Sequence, residues 1–474
     1  MILIDRKNAA PFYQQIHDQV IQGIEGGAYR TGDRLPSIRS FALELGVSRN
    51  TVEQAYLLLV QEGYANARQG SGYYINSADI PQAVERHADP VLERALLQLK
   101  AMDGNDAESP VKYDFSRIGI EPGSFPFYRW IQVSRDVMLD AQRDGACKPT
   151  DPRGLEAFRE QIARYLLKER GIAISSDQIA VFPSSITAMA AAFRMLAEEG
   201  YTAIFNNPCR PETLAAFRDS GIPATPIATY AKEMHGGSQL AGSLRNCIRY
   251  TTPENRFPFR RIMPVEERKR LVSWAVETDS YLLDDGYCHE FQYRNPRLPS
   301  LYTLDTHGRV ISVGTFEESL SPSMGPAYLV LPPQLMIRWL NRATAPLPVS
   351  WHTQAAIAEF MKRNHWNPHL RRLQTSCRHK HDAVLRAIET HMGDAVDYSP
   401  SESGLHVLLR TKDTRSESEL VRLAAQAGIR VYPTSVCWSG HVPANWNRIL
   451  LGFASMPLEH IETGIAELAH AWFA

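Results

Sequence analysis

Residues 32–64 read GDRLPSIRSFALELGVSRNTVEQAYLLLVQEGY, and residues 67–75 read ARQGSGYYI. Ile38, Phe41, Ala42 and Leu45 recur at i, i+3, i+4 and i+7, which predicts a short helix with one buried face. Gly46-Val47 ends it, and Ser48 is placed to cap a second helix whose buried stripe is Val52, Tyr56, Leu59 and Val60. That phasing leaves Arg49, Asn50, Thr51 and Gln54 exposed at the amino end of the second helix. Short or forked hydrogen-bonding side chains in that place are suited to base edges and phosphates in a major groove. Upstream, Tyr13, Ile16, Val20 and Ile24 predict a further helix, and Gly63–Ile75 reads as a β-hairpin with Arg68 near its tip. Together these segments predict a winged helix-turn-helix over residues 1–76. An ordinary small helical domain is the plainer alternative, and seven Lys+Arg against seven Asp+Glu in this segment mean that any DNA binding rests on local surface.

The helical stretch and the hairpin together resemble the GntR-type winged helix over residues 8–76. The resemblance implies a double-stranded DNA operator as partner. Arg34, Ser37 and Arg39 would approach phosphates or base edges, and Arg49 and Thr51 would lead the recognition helix beside Ser48, Asn50 and Gln54. Arg68, Gly70 and Gly72 would form a minor-groove wing. Affinity should fall with salt and, in a domain of balanced charge, lean on dimerisation.

The whole chain has 474 residues, 51 Lys+Arg against 52 Asp+Glu, and 44% hydrophobic residues, enough for two or three domains with real cores. This composition excludes disorder, collagen and coiled coil. A net charge of −1 provides no global field toward nucleic acid or an anionic membrane. No stretch approaches the roughly 18–20 apolar residues of a membrane span, and MILIDRKNAA lacks a signal-peptide core, so a cytoplasmic protein with no membrane partner is expected. Cysteines at 147, 209, 247, 288, 377 and 437 show no C-x-x-C pair and no metal-ligand spacing, which reads as free thiols and no metal. His379 and His381 flank Lys380, but residues two apart on a helix point about 200° away from each other and chelate poorly.

Residues 77–112 are polar and charged, with one amphipathic stretch at Val91–Met102, and read as a linker. From residue 113, apolar runs at 178–182, 202–205, 246–252, 281–285 and 310–316 alternate with helical periods, which predicts an α/β domain with a mostly parallel central sheet. After Pro332 the pattern changes to long helices through about residue 392, then to strands at 404–410, 429–432 and 449–454 among helices. A large part over 113–332 and a small α+β subdomain over 333–474 follow.

Residues 113–474 resemble a fold type I, aspartate-aminotransferase-like domain, and with the amino-terminal head the chain is similar to MocR/GabR-family transcription regulators. The landmarks are FPFYRW (125–130), DPRGLEAFREQIARYLLKERGI (151–172), VFPSSITAM (181–189), LLDDGYCHEFQY (282–293), GLHVLLR (404–410) and ILLGFA (449–454). The resemblance implies a site for pyridoxal phosphate (PLP) at the carboxyl ends of the strands, where a carboxylate pairs with the ring nitrogen and a lysine forms the Schiff base. Asp285 and Tyr287 match the D-x-Y motif that serves the ring nitrogen and the phenolic oxygen. The lysine motif, approximately G-T-F-S-K-T-L-A-P-G-L-R-L-G-Y, appears here as GTFEESLSPSMGPAY over 314–328. Glu318 therefore stands where the lysine belongs, and a carboxylate does not condense with an aldehyde. Between Lys269 and Lys362 there is no lysine at all.

Other positions depart with it. Gly325 replaces the arginine that grips the cofactor phosphate, and Ser184 and Ser185 stand at the helix start usually occupied by Gly-Ala, where they would still suit an anion. Arg210 replaces a ring-stacking tyrosine and is expected to donate to an anion. Asn255 keeps the ring-contacting place in TPENRFPFR, where Phe259-Arg260 replaces Thr-Gly, and Arg448 matches the clamp for a substrate carboxylate. With Thr315, these residues are the candidate ligand pocket. Structural alternatives stay open: Asp285 and Tyr287 as core hydrogen-bonding residues, Arg210 and Arg448 as surface arginines, and Ser184-Ser185 as a plain helix cap.

The expectation is a DNA-binding transcription regulator, not an enzyme and with no catalytic residue, whose aminotransferase-like domain dimerises and senses a small ligand without Schiff-base PLP. By resemblance the dimer is head-to-tail and domain-swapped. A carboxylate- or phosphate-bearing effector suits the arginines. The alternatives are a regulator that binds PLP or a PLP–amine adduct noncovalently, a PLP-dependent aminotransferase with a DNA-binding head, opposed by Glu318, and a scaffold without effector.

Overall fold

The computed structural model describes residues 2–6, 10–68, 70–76, 111–115, 119–144, 151–229, 244–293, 298–342, 349–398, 403–443 and 446–474. The expected linker, apart from Val111 and Lys112, lies outside the described residues, as do its amphipathic stretch and Cys147. The chain divides into two compact units, Met1–Asp106 and Ala107–Ala474.

In the first unit, α1 (Phe12–Glu25), α2 (Ile38–Leu45) and α3 (Arg49–Gln61) precede the antiparallel hairpin of β1 (Ala65–Arg68) and β2 (Gly72–Ile75). Ser37 Oγ accepts from the Ser40 amide at 3.1 Å to start α2, and Gly46, at φ 63°, ends it in the left-handed region that glycine adopts without strain. Ser48 Oγ likewise accepts from the Thr51 amide at 3.1 Å to start α3. Ile16, Val20, Phe41, Val52, Tyr56, Leu59 and Ile75 meet in one buried cluster, each such side chain contributing about 1.5–3 kcal/mol of transfer free energy. The Tyr56 hydroxyl donates to the Pro36 carbonyl at 3.0 Å, which ties α3 to the segment that enters α2.

The second unit begins with β3 (Tyr113–Asp114) and is built on β4 (Ile179–Phe182), β5 (Thr202–Asn207), β6 (Ala224–Thr229), β7 (Cys247–Thr251), β8 (Tyr281–Asp285), β9 (Val310–Thr315) and β10 (Ala327–Val330). The last seven form one sheet in the order β4-β10-β9-β8-β7-β5-β6. All neighbours are parallel except β10, which runs antiparallel to both β4 and β9. The sheet is α/β and mixed, mostly parallel, as the alternating pattern predicts. Two of its strands are absent from the sequence reading. ATPIAT of β6 is interrupted by proline, and AYLV of β10 is four residues long and directly follows the turn that carries the lysine-like motif. Helices Ser185–Ala197 and Pro211–Ser220 cover one face, with Ala188, Ala192, Phe193 and Phe217 buried against strand residues such as Phe205 and Leu283.

Beyond it stand helices Pro333–Arg342, Trp351–Lys362 and Trp366–His391, then β11 (Val396–Tyr398), β12 (His406–Thr411), β13 (Ile429–Arg430), β14 (Tyr432–Pro433) and β15 (Arg448–Gly452). The single strand expected over 429–432 is in fact two. Ile429–Arg430 pairs in parallel with β3, and Tyr432–Pro433 pairs with β15 in the sheet β11-β12-β15-β14. Among the described residues no helix is long and apolar enough to cross a membrane.

Candidate functional site

In the winged helix, Ser48, Arg49, Asn50 and Gln54 are exposed at the amino end of α3, and Thr51 is half-buried with its hydroxyl 2.8 Å from Ser48 Oγ. Arg34, Ser37 and Arg39 are exposed as well. The hydroxyls of Ser37 and Ser48 serve as helix caps, so what these two positions offer a phosphate is the positive end of a helix rather than a projecting side chain. In the wing, the Arg68 guanidinium stacks 4.5 Å from the Tyr74 ring centroid. Arg68 lies opposite Gly72 in the hairpin, and a Cβ on Gly72 would come within 3.3 Å of Arg34 Nε. The Arg34 guanidinium thus packs on the glycine that pairs with Arg68, and at φ 108° that glycine holds a backbone that other residues rarely adopt. Gly70, at φ 74°, turns the hairpin.

In the second unit the candidate residues lie at the carboxyl ends of the sheet strands, where open α/β sheets bind ligands. Ser184 and Ser185 follow β4, Arg210 follows β5, Asn255 follows β7, Asp285 ends β8 and Thr315 ends β9. Arg210 Nη1 donates to Asp285 Oδ2 at 2.7 Å, and the Tyr250 hydroxyl donates to the same oxygen at 2.7 Å. The Arg210 guanidinium lies 3.8 Å over the Tyr287 ring, and Asp285 Oδ1 accepts from the Tyr287 amide at 3.0 Å. Arg210 and Asp285 are buried together, which pulls the guanidinium well above its ordinary pKa against the desolvation that would lower it. The sequence led to the expectation that Arg210 donates to an effector anion, with a surface arginine as the alternative; it does neither, because it is buried and its charge is met by Asp285.

The start of helix Ser185–Ala197 is likewise taken. Ser184 Oγ accepts from the Thr187 amide in a reciprocal capping box, while the Ser185 amide and hydroxyl donate to the two carboxylate oxygens of Glu317 at 3.0 and 2.9 Å. The Glu317 amide in turn donates to Thr315 Oγ1 at 3.0 Å, which fixes the turn after β9. Glu318, next in sequence, is half-buried, and desolvation pushes its carboxyl up to about 8 although Arg210 opposes the shift. Gly325 packs on this turn so closely that a Cβ there would lie 2.4 Å from the Phe316 carbonyl carbon and 2.5 Å from the Glu317 nitrogen. No side chain, and so no arginine, fits position 325 on this backbone. Beside Arg210, a cavity bounded by Tyr250, Thr252 and Phe257 measures about 20 Å³, room for roughly one water molecule.

The gntR family of bacterial regulatory proteins matches residues 12–75, and the aminotransferase class I and II family matches residues 122–468. The HTH-type transcriptional regulator YhdI of Bacillus subtilis is 31% identical over 473 residues, covering 99% of this chain and 97% of its own. The chain belongs to the GntR/MocR family of HTH-type transcriptional regulators. The probable rhizopine catabolism regulatory protein MocR of Rhizobium meliloti is 28% identical, with 100% and 96% covered. The regulator's second unit has the fold of an archaeal alanine:glyoxylate aminotransferase, with a TM-score of 0.67 at 21% identity over 79% of this chain and 94% of that one. This GntR/MocR regulator is thus a DNA-binding transcription regulator with a winged helix and a fold type I aminotransferase-like domain.

In the regulator's small subdomain, Arg448 is buried in β15 with its guanidinium 4.9 Å from the Trp446 ring, and desolvation pulls it down to about 10. It is not a surface arginine. Three residues at the site escaped the sequence reading as ligand-pocket members. Tyr250 and Glu317 matter through contacts made across strands, with Asp285 on β8 and Ser185 after β4. Arg260 is wholly buried between the 252–261 loop and the Ser403–Gly404 carbonyls. The signals available were two successive carboxylates at the end of an apolar strand and an arginine in a proline-rich turn, neither of which specifies a contact.

Proposed function

We propose that this regulator's aminotransferase-like domain works without covalent PLP, as a dimerising body that responds to a small ligand and sets two winged helices on repeated operator half-sites. The observation that carries the reading is the buried pair of Arg210 and Asp285. The carboxylate that would hold a pyridinium nitrogen is held instead by a guanidinium of the chain, stacked on the tyrosine beside it. Glu317 adds the second half of the argument: its carboxylate takes the helix amide and hydroxyl that would receive a phosphate. Pyridoxal phosphate would have to displace two charged side chains, lacks an arginine at position 325 and finds a carboxyl, Glu318, in place of an amine. These residues do not fit the cofactor, and no chemical step is assigned to it.

In this reading a ligand acts by binding two arrangements of the dimer unequally, and the arrangements differ in how they space the DNA-binding heads. The deciding experiment is an absorbance scan from about 300 to 500 nm of the purified protein with added PLP, before and after borohydride, beside a PLP thermal-shift titration. Neither a band nor a shift is expected. A band that borohydride traps would return the enzyme reading, and a thermal shift without the band would favour noncovalent PLP sensing.

A further inference from the structure

Arg260 is fully buried at 0% exposure, at φ 61°, a left-handed conformation that residues with a Cβ seldom hold. Its Nε donates to the Ser403 carbonyl at 2.6 Å and its Nη2 to the Gly404 carbonyl at 3.2 Å, which spans the seam between the 252–261 loop and the small subdomain. Its Nη1 is buried with no hydrogen-bond partner, and among the described residues Arg260 forms no ion pair. The groups that act on its charge are the phenols of Tyr293 and Tyr287 and the thiol of Cys288, and burial without a carboxylate pulls the guanidinium down to about 10. Asn255, also at 0% exposure, leaves both its amide nitrogen and its oxygen without a partner. The two side chains are neighbours. A Cβ built on Gly404 would lie 2.7 Å from Asn255 Nδ2 and 3.3 Å from Arg260 Nε.

A buried cation with no counter-ion among the described residues, beside an amide with both ends unmet, is a costly arrangement that native proteins resolve with a ligand, ion or water. We propose that Arg260 and Asn255 form an effector site for a small carboxylate that carries a hydrogen-bond donor next to its carboxyl group. The carboxylate would accept from Arg260 Nη1 and Asn255 Nδ2, and the neighbouring donor would satisfy Asn255 Oδ1. A halide meets only the first need. The site is closed to solvent, so the ligand enters when the Ser403–Gly404 segment lifts from Arg260, which couples occupancy to the seam. This inference rests on the effector reading above and assigns the ligand to Arg260 and Asn255 rather than to the Arg210–Asp285 pair.

The test is a thermal-shift titration of the full-length protein in chloride-free buffer, ionic strength held with sodium sulfate, using sodium glycolate, acetate and chloride as probes. Glycolate should raise the midpoint saturably, by roughly 2–4 °C, more than acetate, with chloride weakest. Arg260→Met should abolish the response without lowering the anion-free midpoint, because it removes an uncompensated charge. Asn255→Asp should raise the anion-free midpoint by supplying an internal counter-ion, and should also abolish the response. A wild type with no saturable shift, or an Arg260→Met variant that keeps it, overturns the site. Operator affinity measured on the same samples separates the two readings: a glycolate shift with unchanged operator binding leaves the site standing and overturns its role as effector site.

Discussion

Arg210 Nη1 stands 2.7 Å from Asp285 Oδ2, with 3% and 2% of the two side chains exposed. Such a pair is poor evidence for stability in itself, since desolvation offsets most of the Coulomb gain, but removal of one partner strands the other. Arg210→Met should therefore cost about 3–5 kcal/mol. Adding Asp285→Asn should recover a large part, a coupling of a few kcal/mol in a double-mutant cycle read by urea unfolding. Additive losses would show that the two side chains are independent.

Glu317→Ala should cost about 1–2 kcal/mol, since it removes the acceptor of the Ser185 amide and hydroxyl at a helix amino end. Inorganic phosphate should then raise the midpoint of the variant and leave the wild type unmoved. An equal phosphate response in both proteins would mean that Glu317 does not close this helix end.

Glu318 predicts a pH dependence of definite sign. Its folded carboxyl, pushed up to about 8 from 4.5, holds its proton more tightly than in the unfolded chain. Its stabilising contribution is complete below about pH 4.5 and is lost as pH rises toward about 8, at up to about 1.4 kcal/mol per pH unit. Glu318→Gln carries no such proton. The stability of the variant relative to wild type should grow between about pH 5 and 8 and level off above, as read by unfolding at several pH values. A constant difference across that range would place an ionised carboxylate at 318.

Glu318→Lys alone should form no Schiff base that borohydride traps with added PLP. The new amine would still face an Asp285 already paired with Arg210 and a turn where Gly325 admits no side chain. A stable yellow adduct in this single variant would mean that the pocket opens readily.

At the DNA surface, Arg49→Ala should weaken operator binding by about 1–3 kcal/mol and relax preference at the base it reads. Arg68, stacked on Tyr74 in the wing, should act differently: Arg68→Ala should lower affinity evenly across sequences and reduce the salt slope by about 1. Fluorescence anisotropy at several salt concentrations distinguishes these outcomes, and affinities equal to wild type would remove both residues from the interface.

The winged helix was legible because each of its elements is local. Val52, Tyr56 and Leu59 announce their helix by period, Ser37 and Ser48 their caps, and Gly70 and Gly72 the hairpin. The parallel strands were legible as apolar runs because they are buried on both faces. β10 was not, since four residues after a turn carry no period and their antiparallel pairing with both β4 and β9 is a matter of topology. Arg210 illustrates the same limit at the site. Its departure from the family tyrosine was visible in NNPCR, but a free arginine and one paired with Asp285, 75 residues away, have the same sequence.

By itself, then, the chain of residues determined the two kinds of domain, the recognition helix with its capped amino end, and the absence of an amine at position 318, because these follow from local period, capping chemistry and residue identity. Only the tertiary structure decided that Arg210 closes on Asp285, that Glu317 plugs the helix of Ser185, and that Arg260 Nη1 and the Asn255 amide are buried without partners near Gly404. Those outcomes depend on which strand ends the sheet order brings together and on how burial sets the cost of each charge, and neither is written in the spacing of residues along the chain.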